Sequence, residues 1–204
     1  MKVIVASRNK GKVAEIRQIL SLWGVEVVPL SELPALPDVE ETGTSFAENA
    51  IVKARTVACA TGLPAISDDS GIEVDYLGGF PGVHSARFAG LDATDEEKNR
   101  IILDKLAGVP VSQRGAGFRC AAAFAAPDGR VVGFEGGVRG FIADEPRGFG
   151  GFGYDPIFFY PPYGRTFGEV SAEMKNKVSH RGRAFRLLAD FFRCSAQFLD
   201  HPRV

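Results

Sequence analysis

Apolar residues fall into two rhythms along this chain, short continuous runs and spaced stripes, and their order predicts the elements. Val3 to Ala6 marks a strand within Met1 to Ala6, and Val13, Ile16, Ile19, Leu20 and Trp23 recur at helical spacing. Ser7 to Gly11 is the polar turn between them. Gly24 stands where a helix C-cap is expected, and Val25 to Pro29 reads as a second strand, so the chain opens β-loop-α-β. Ser31 to Gly43, rich in proline and acids, reads as loop. Ser45 with Glu48 three residues on is a capping-box pattern ahead of a helix that runs to about Ala60 and stops at Thr61-Gly62. A further strand, Ala65 to Ser67, leads into an acidic turn, Asp68-Asp69-Ser70-Gly71.

Thr94 and Glu97 repeat the capping box before a helix carrying Ile101, Ile102 and Leu106, which Gly108 and Pro110 end. Arg119 to Ala126 and Arg130 to Gly140 read as antiparallel strands joined at Pro127-Asp128-Gly129. A glycine-dense loop, Gly148 to Gly153, precedes the apolar run Pro156 to Tyr160. A helix from about Ser179 carries Ala184, Leu187, Leu188 and Phe191. Strands paired in parallel early and antiparallel late, with helices between, predict a mixed-sheet α/β fold.

Composition narrows the class. The 204 residues are 45% hydrophobic and 24% charged, enough apolar material for a core, and no stretch reads as a linker, so one domain over 1–204 is expected. A net charge of -1 gives no general attraction to nucleic acid. Bound phosphate must then be met by placed cations. Cys59, Cys120 and Cys194 are odd in number and widely spaced, which points away from disulfides and zinc and towards cytoplasmic residence. No stretch approaches the ~18 apolar residues a membrane span needs.

Four groups of residues suggest chemistry. Two adjacent carboxylates at a strand end, Asp68 and Asp69, suit magnesium, which takes a few carboxylate oxygens together with substrate phosphates; the same residues also make an ordinary turn. Ser7-Arg8-Asn9-Lys10-Gly11-Lys12 joins a strand to a helix N-terminus, a natural anion site or a solvated basic turn, and lacks the Walker A spacing. Glu40-Glu41-Thr42-Gly43 precedes Glu48, Asn49 and Lys53; the acids face water or one of them meets a metal. Gly150-Gly151-Phe152-Gly153-Tyr154-Asp155-Pro156 offers rings for stacking on a base, or covers for a core. Lys175 and Ser179-His180-Arg181-Gly182 place cations at a helix start, against the helix dipole.

In this order the motifs resemble the Ham1 family of inosine/xanthosine triphosphate pyrophosphatases. The likeness runs through Ser7 to Lys12, Glu41-Thr42-Gly43 with Phe46, Glu48-Asn49-Ala50 through Lys53-Ala54, Ser67 to Gly71, Leu77-Gly78-Gly79, Pro81-Gly82 and Ser85-Ala86-Arg87. Gly151 to Pro156 and Ser179-His180-Arg181 complete it. The resemblance implies a two-lobed, inosine triphosphatase-like mixed α/β homodimer with a nucleotide cleft between lobes. It implies hydrolysis of ITP, dITP and XTP to the monophosphate and pyrophosphate, with magnesium as cofactor. Position by position, Ser7, Arg8, Asn9, Lys10, Gly11, Lys12 and Lys53 would hold the triphosphate. Asp69 and a glutamate of the Glu40-Glu41 pair would hold magnesium, Glu41 fitting the spacing to Lys53 better. Asp69 would also accept the proton of the attacking water, and Ser70 would contact substrate. Phe152, Gly153, Tyr154, Asp155, Lys175, His180 and Arg181 match nucleoside-binding positions, with His180 and Arg181 supplying donors to the 6-oxo group.

One departure stands out: the family's first loop commonly reads Thr-Gly-Asn, and Arg8 here replaces a glycine able to take positive φ. Two other readings remain, a Maf-like pyrophosphatase with another base preference and a non-catalytic nucleotide-binding module.

Overall fold

A computed structural model describes residues 1–33, 36, 39, 41–90 and 92–195. Strand β1 (Lys2–Val5) leads to helix α1 (Lys10–Ser21), and β2 (Glu26–Pro29) returns parallel to β1. Asn9 caps α1, its side-chain oxygen accepting from the Lys12 amide at 3.0 Å. The helix closes at Ser21, short of the expected Gly24, because Gly24 at φ +68° makes the left-handed turn that sends the Val25 amide back to the Leu20 carbonyl. Trp23 therefore leaves the helical stripe. Glu15 joins Ile16, Ile19 and Leu20 on its buried face.

Helix α2 (Phe46–Thr61) starts at Ser45, whose hydroxyl accepts from the Glu48 amide, and ends at left-handed Gly62. The Glu48 carboxylate reaches one residue beyond the expected box, accepting from the Thr44 amide and hydroxyl at 2.7 and 2.9 Å. The largest correction follows. Strand β3 runs from Ala65 to Val74, so Ser67-Asp68-Asp69-Ser70-Gly71 is strand interior and not a turn. Its polar residues satisfy their groups through ion pairs and side-chain hydrogen bonds to other elements, and the backbone stays extended. Of the loop read over Ser31 to Gly43, residues 34, 35, 37, 38 and 40 lie outside the described residues.

Helix α3 (Asp95–Lys105) carries the full reciprocal capping box of Thr94 and Glu97, as expected. Strands β4 (Gly115–Ala125) and β5 (Val131–Ile142) extend the expected pair. Gly133 lies against the Ala122 carbonyl and Gly137 against that of Phe118, so the two run antiparallel. Short strands β6 (Phe158–Tyr160) and β7 (Arg165–Thr166) follow, each antiparallel to its predecessor. Helix α4 (Ala172–Val178), capped by Ser171, was not legible in the sequence and carries Lys175. Helix α5 (His180–Cys194) buries Ala184 and Leu188 as expected, adds Phe185, Ala189 and Phe192 and leaves Leu187 half exposed, so its apolar stripe is partly rotated from the expected one.

The seven strands order β2-β1-β3-β4-β5-β6-β7, with β1 parallel to both β2 and β3. This is the expected mixed α/β fold. The chain forms two compact units, one of Met1–Asp69, Ala121–Glu135 and the chain from Arg181, the other of Ser70–Cys120 and Gly136–His180. The first has a core of small residues, among them Ala50, Ala54, Val57, Ala65, Ala121 and Ala123. The second is aromatic, with Phe158 tilted 4.6 Å from Phe118 and 5.0 Å from Phe167. No helix among the described residues is long and apolar enough to cross a membrane.

Gly71 in the second unit is needed for its small size. A Cβ there would meet the Ser85 hydroxyl and lie 2.5 Å from the Gly82 carbonyl, while Ser85 Oγ must stay close to accept from the Ile72 amide at 3.0 Å. Gly71→Ala is expected to cost about 1–3 kcal/mol by overpacking, read as a lower urea midpoint. An unchanged midpoint would show that the Ser85 turn yields.

Candidate active site

In the first unit the sequence builds two charged clusters from one strand. Side chains alternate faces along a strand, so Ser67 and Asp69 turn to one side of β3 and Asp68 to the other. Ser67 Oγ donates to the Ala50 carbonyl of α2 at 2.5 Å, and Asp69 meets α2 one turn along through Asn49 and Lys53. Lys53 Nζ stands 2.8 Å from both Asp69 Oδ1 and Glu41 Oε1. Asn49 links the strand to the loop, donating to Asp69 Oδ2 at 3.2 Å and accepting from the Gly43 amide at 2.8 Å.

Two carboxylates converge here on one ammonium. Burial raises the Asp69 pKa above the ordinary carboxylate range and Glu41 adds to it, outweighing Lys53 and Lys12. For Lys53, burial opposes the charge, but Asp69 and Glu41 overcome it and hold the pKa above that of a free lysine.

On the opposite face, Asp68 receives Lys12 Nζ at 2.5 Å and Arg181 Nε at 2.9 Å, and Arg181 Nη1 donates to Glu15 Oε2 at 2.6 Å. Asp68 and Arg181 are 1% and 2% exposed. Burial alone would raise the Asp68 pKa; the facing Arg181 and Lys12 charges reverse this and hold it well below the usual range. Two acids balance two cations. Lys12 and Glu15 lie one helical turn apart on α1, which is how the buried stripe of that helix came to include an acid. Glu15 is the participant that sequence reasoning missed, and Asn49 was named in its motif without a role. Glu15 had a signal, since its spacing to Ile16 and Ile19 is that of the buried face.

The expected anion loop lies at the start of α1. Ser7 Oγ accepts from the Asn9 amide at 3.2 Å, and Lys10 is exposed. Arg8 Nη2 donates to the Leu36 carbonyl at 2.9 Å. No described non-glycine residue has positive φ, so the loop with Arg8 takes an ordinary backbone path.

In the second unit, buried Lys175 of α4 pairs with buried Asp155, whose Oδ2 also accepts from the Phe152 amide at 2.9 Å. The Lys175 ammonium sits 4.8 Å from the Phe152 ring centroid. Tyr154 is a core residue whose hydroxyl donates to the Ser85 carbonyl at 2.5 Å. The buried His180 ring stacks on Phe118 at 4.6 Å, nearly parallel. Ser70, beside Asp69 on β3, is half buried. Arg181, expected with the nucleoside residues, has its guanidinium engaged by Asp68 and Glu15.

The donor set fits magnesium. No three His, Cys, Asp or Glu side chains converge among the described residues, but Glu41 and Asp69 do, across Lys53. Magnesium commonly takes one or two carboxylates and completes its shell with water and phosphate. Glu40, the other candidate, lies outside the described residues.

The Ham1 family model matches residues 3–191, and the chain belongs to that family. It is 50% identical over 189 residues to a dITP/XTP pyrophosphatase of Geobacter sulfurreducens, covering 93% of this chain and 95% of the relative. A dITP/XTP pyrophosphatase of Desulforamulus reducens is 50% identical over 186 residues, covering 91% and 92%. Among solved structures, a HAM1 protein from Coxiella burnetii superposes with a TM-score of 0.84 at 42% identity, covering 95% of this chain and 98% of its own.

Proposed function

We propose that this protein hydrolyses the non-standard purine nucleoside triphosphates ITP, dITP and XTP to the nucleoside monophosphate and pyrophosphate. The observation that carries this reading is half-identity, over more than nine-tenths of the chain, to relatives named for that activity. The Glu41-Lys53-Asp69 cluster supplies the chemistry it needs.

Lys53, Lys12 and the amides at the start of α1 receive the triphosphate, with Ser7, Asn9, Lys10 and Gly11 shaping the loop. Ser70 contacts the same substrate. Asp69 orients a water towards the α-phosphorus and accepts its proton as the new P–O bond forms; the bond to the bridging oxygen breaks, and pyrophosphate carries away the electron pair. Glu41 and Asp69 would hold magnesium, which when bound supplies positive charge to the phosphate oxygens. Phe152 offers a ring face to the purine, and Lys175 and Asp155 fix the loop that presents it. His180 is the donor for the 6-oxo group that inosine and xanthosine share. ATP would meet that donor with another donor, a mismatch of up to ~10⁴-fold. Action as a homodimer in the cytoplasm completes the reading; three cysteines, odd in number and widely spaced, accord with a reducing compartment.

The test is a panel of triphosphates with magnesium, scored separately for pyrophosphate and orthophosphate. ITP, dITP and XTP should release pyrophosphate far faster than ATP. Orthophosphate alone, or equal rates on ATP and ITP, would overturn the reading.

A further inference from the structure

Gly153 is held on both sides of its backbone by one helix. Asn99 Nδ2 of α3 donates to the Gly153 carbonyl at 3.0 Å, and Asp95 Oδ2, one turn earlier on the same face, accepts from the Gly153 amide at 2.6 Å. Gly153 has φ +63°, a conformation that side-chain-bearing residues rarely adopt. Asn99 is 4% exposed, whereas Asp95 faces solvent. The Gly153 carbonyl also fixes which way the amide points, since a flipped amide would set oxygen against oxygen. That orientation leaves Asn99 Oδ1 buried without a hydrogen-bond partner. A buried polar side chain with an unsatisfied acceptor is costly, so its bond to Gly153 is the visible return for that cost.

The residues on either side are the expected nucleoside positions. The Phe152 amide is tied to Asp155, and Tyr154 to the Ser85 carbonyl. The left-handed turn at Gly153 sets where the Phe152 ring points relative to Tyr154 and Asp155, and Asn99 is its buried fastening.

We infer that Asn99 is a positioning residue for nucleoside recognition: from α3 it clamps Gly153, with Asp95 on the amide side, in the turn that presents Phe152 to the purine. This rests on the reading that the 152–155 loop binds the nucleoside. Asn99 touches no phosphate-binding residue, so its loss should weaken recognition of the base and sugar while recognition of phosphate stays intact.

The test uses the intact protein and two probes, inosine monophosphate and inorganic tripolyphosphate, as inhibitors of ITP hydrolysis. Asn99→Asp keeps the shape but sets a carboxylate oxygen against the Gly153 carbonyl; Asn99→Ala removes the clamp. Both should raise KM for ITP and the inhibition constant of inosine monophosphate on the order of tenfold, with kcat near the parent's and tripolyphosphate inhibition unchanged. Asp95→Ala, at the exposed end, should shift the same constants in the same direction by less and provides a readout if the buried variants fail to fold. Parallel weakening of both inhibitors, or unchanged inosine monophosphate inhibition, would overturn the role of Asn99 while leaving the parent's ITP hydrolysis intact. Absence of that hydrolysis in the parent would overturn the functional reading and the role of Asn99 together.

Discussion

Asp69→Asn is expected to lower turnover on ITP on the order of 10³-fold while the protein stays folded, because loss of a positioned proton acceptor typically costs 10²–10⁴-fold. The amide preserves the shape of the side chain, and its one oxygen can still accept from Lys53, while its NH2 replaces the oxygen that accepted from Asn49. It cannot take a proton from water at neutral pH. Lys53 would also keep Glu41 at 2.8 Å, so its buried charge is not abandoned. The thermal midpoint should therefore move by only a few degrees. Single-turnover hydrolysis of ITP beside a thermal melt separates the two effects. Unchanged turnover would remove Asp69 from the mechanism, and a collapsed melt would assign it to the fold.

Arg181→Met should do the reverse, with its main cost in stability. The guanidinium bridges Asp68 and Glu15, and all three side chains are buried or nearly so. Replacing a whole buried ion network by apolar groups can be neutral, but removing one partner leaves charge behind and costs roughly 3–5 kcal/mol. Here Lys12, 2.5 Å from Asp68, would be left to balance the two carboxylates that Arg181 bridges. Since small domains are stable by about 5–15 kcal/mol, that loss is a large share of the total. Urea denaturation of parent and variant measures it. A loss below ~1 kcal/mol would mean that water or rearranged side chains replace the arginine, and that the cluster contributes little to the fold.

Element starts were legible because capping is a local contract between a side chain and amides a few residues on. Ser45 and Thr94 each mark a helix N-terminus where the sequence placed one, and Asn9 caps α1 inside the stretch read as a turn. The parallel opening and the β4-β5 hairpin were legible for similar reasons, through short apolar runs and a turn of Pro127, Asp128 and Gly129. The acidic motif was misread because Asp, Ser and Gly favour turns in isolation; its extended backbone depends on partners on α1, α2 and α5. Helix α4 has only seven residues, and Met174 with Val178 is too short an apolar repeat for periodicity to detect, while its buried residues are the polar Lys175 and Asn176. The candidate motifs were legible in their order along the chain, but the wiring among their side chains was not. The pairing of Asp68 with Arg181 spans 113 positions, and no spacing rule reaches that far. Asn99 went unnoticed for the same reason: on α3 it looks like any helical asparagine, and only its bond to Gly153 marks it.

Because β3 continues through the two aspartates, neighbours in the chain have become strangers in space. One answers to α2 through Asn49 and Lys53; the other answers to α1 and α5 and balances charge. A slip of the strand by a single residue would hand each the other's surroundings, placing Asp69 among the cations of α1 and α5 and turning Asp68 towards α2. Pairing of β3 with β1, Ile4 beside Ala65 and Val5 beside Ile66, forbids that slip. The sheet thus keeps count, and two ladder rungs of apolar residues decide which carboxylate faces Lys53 and which faces Arg181.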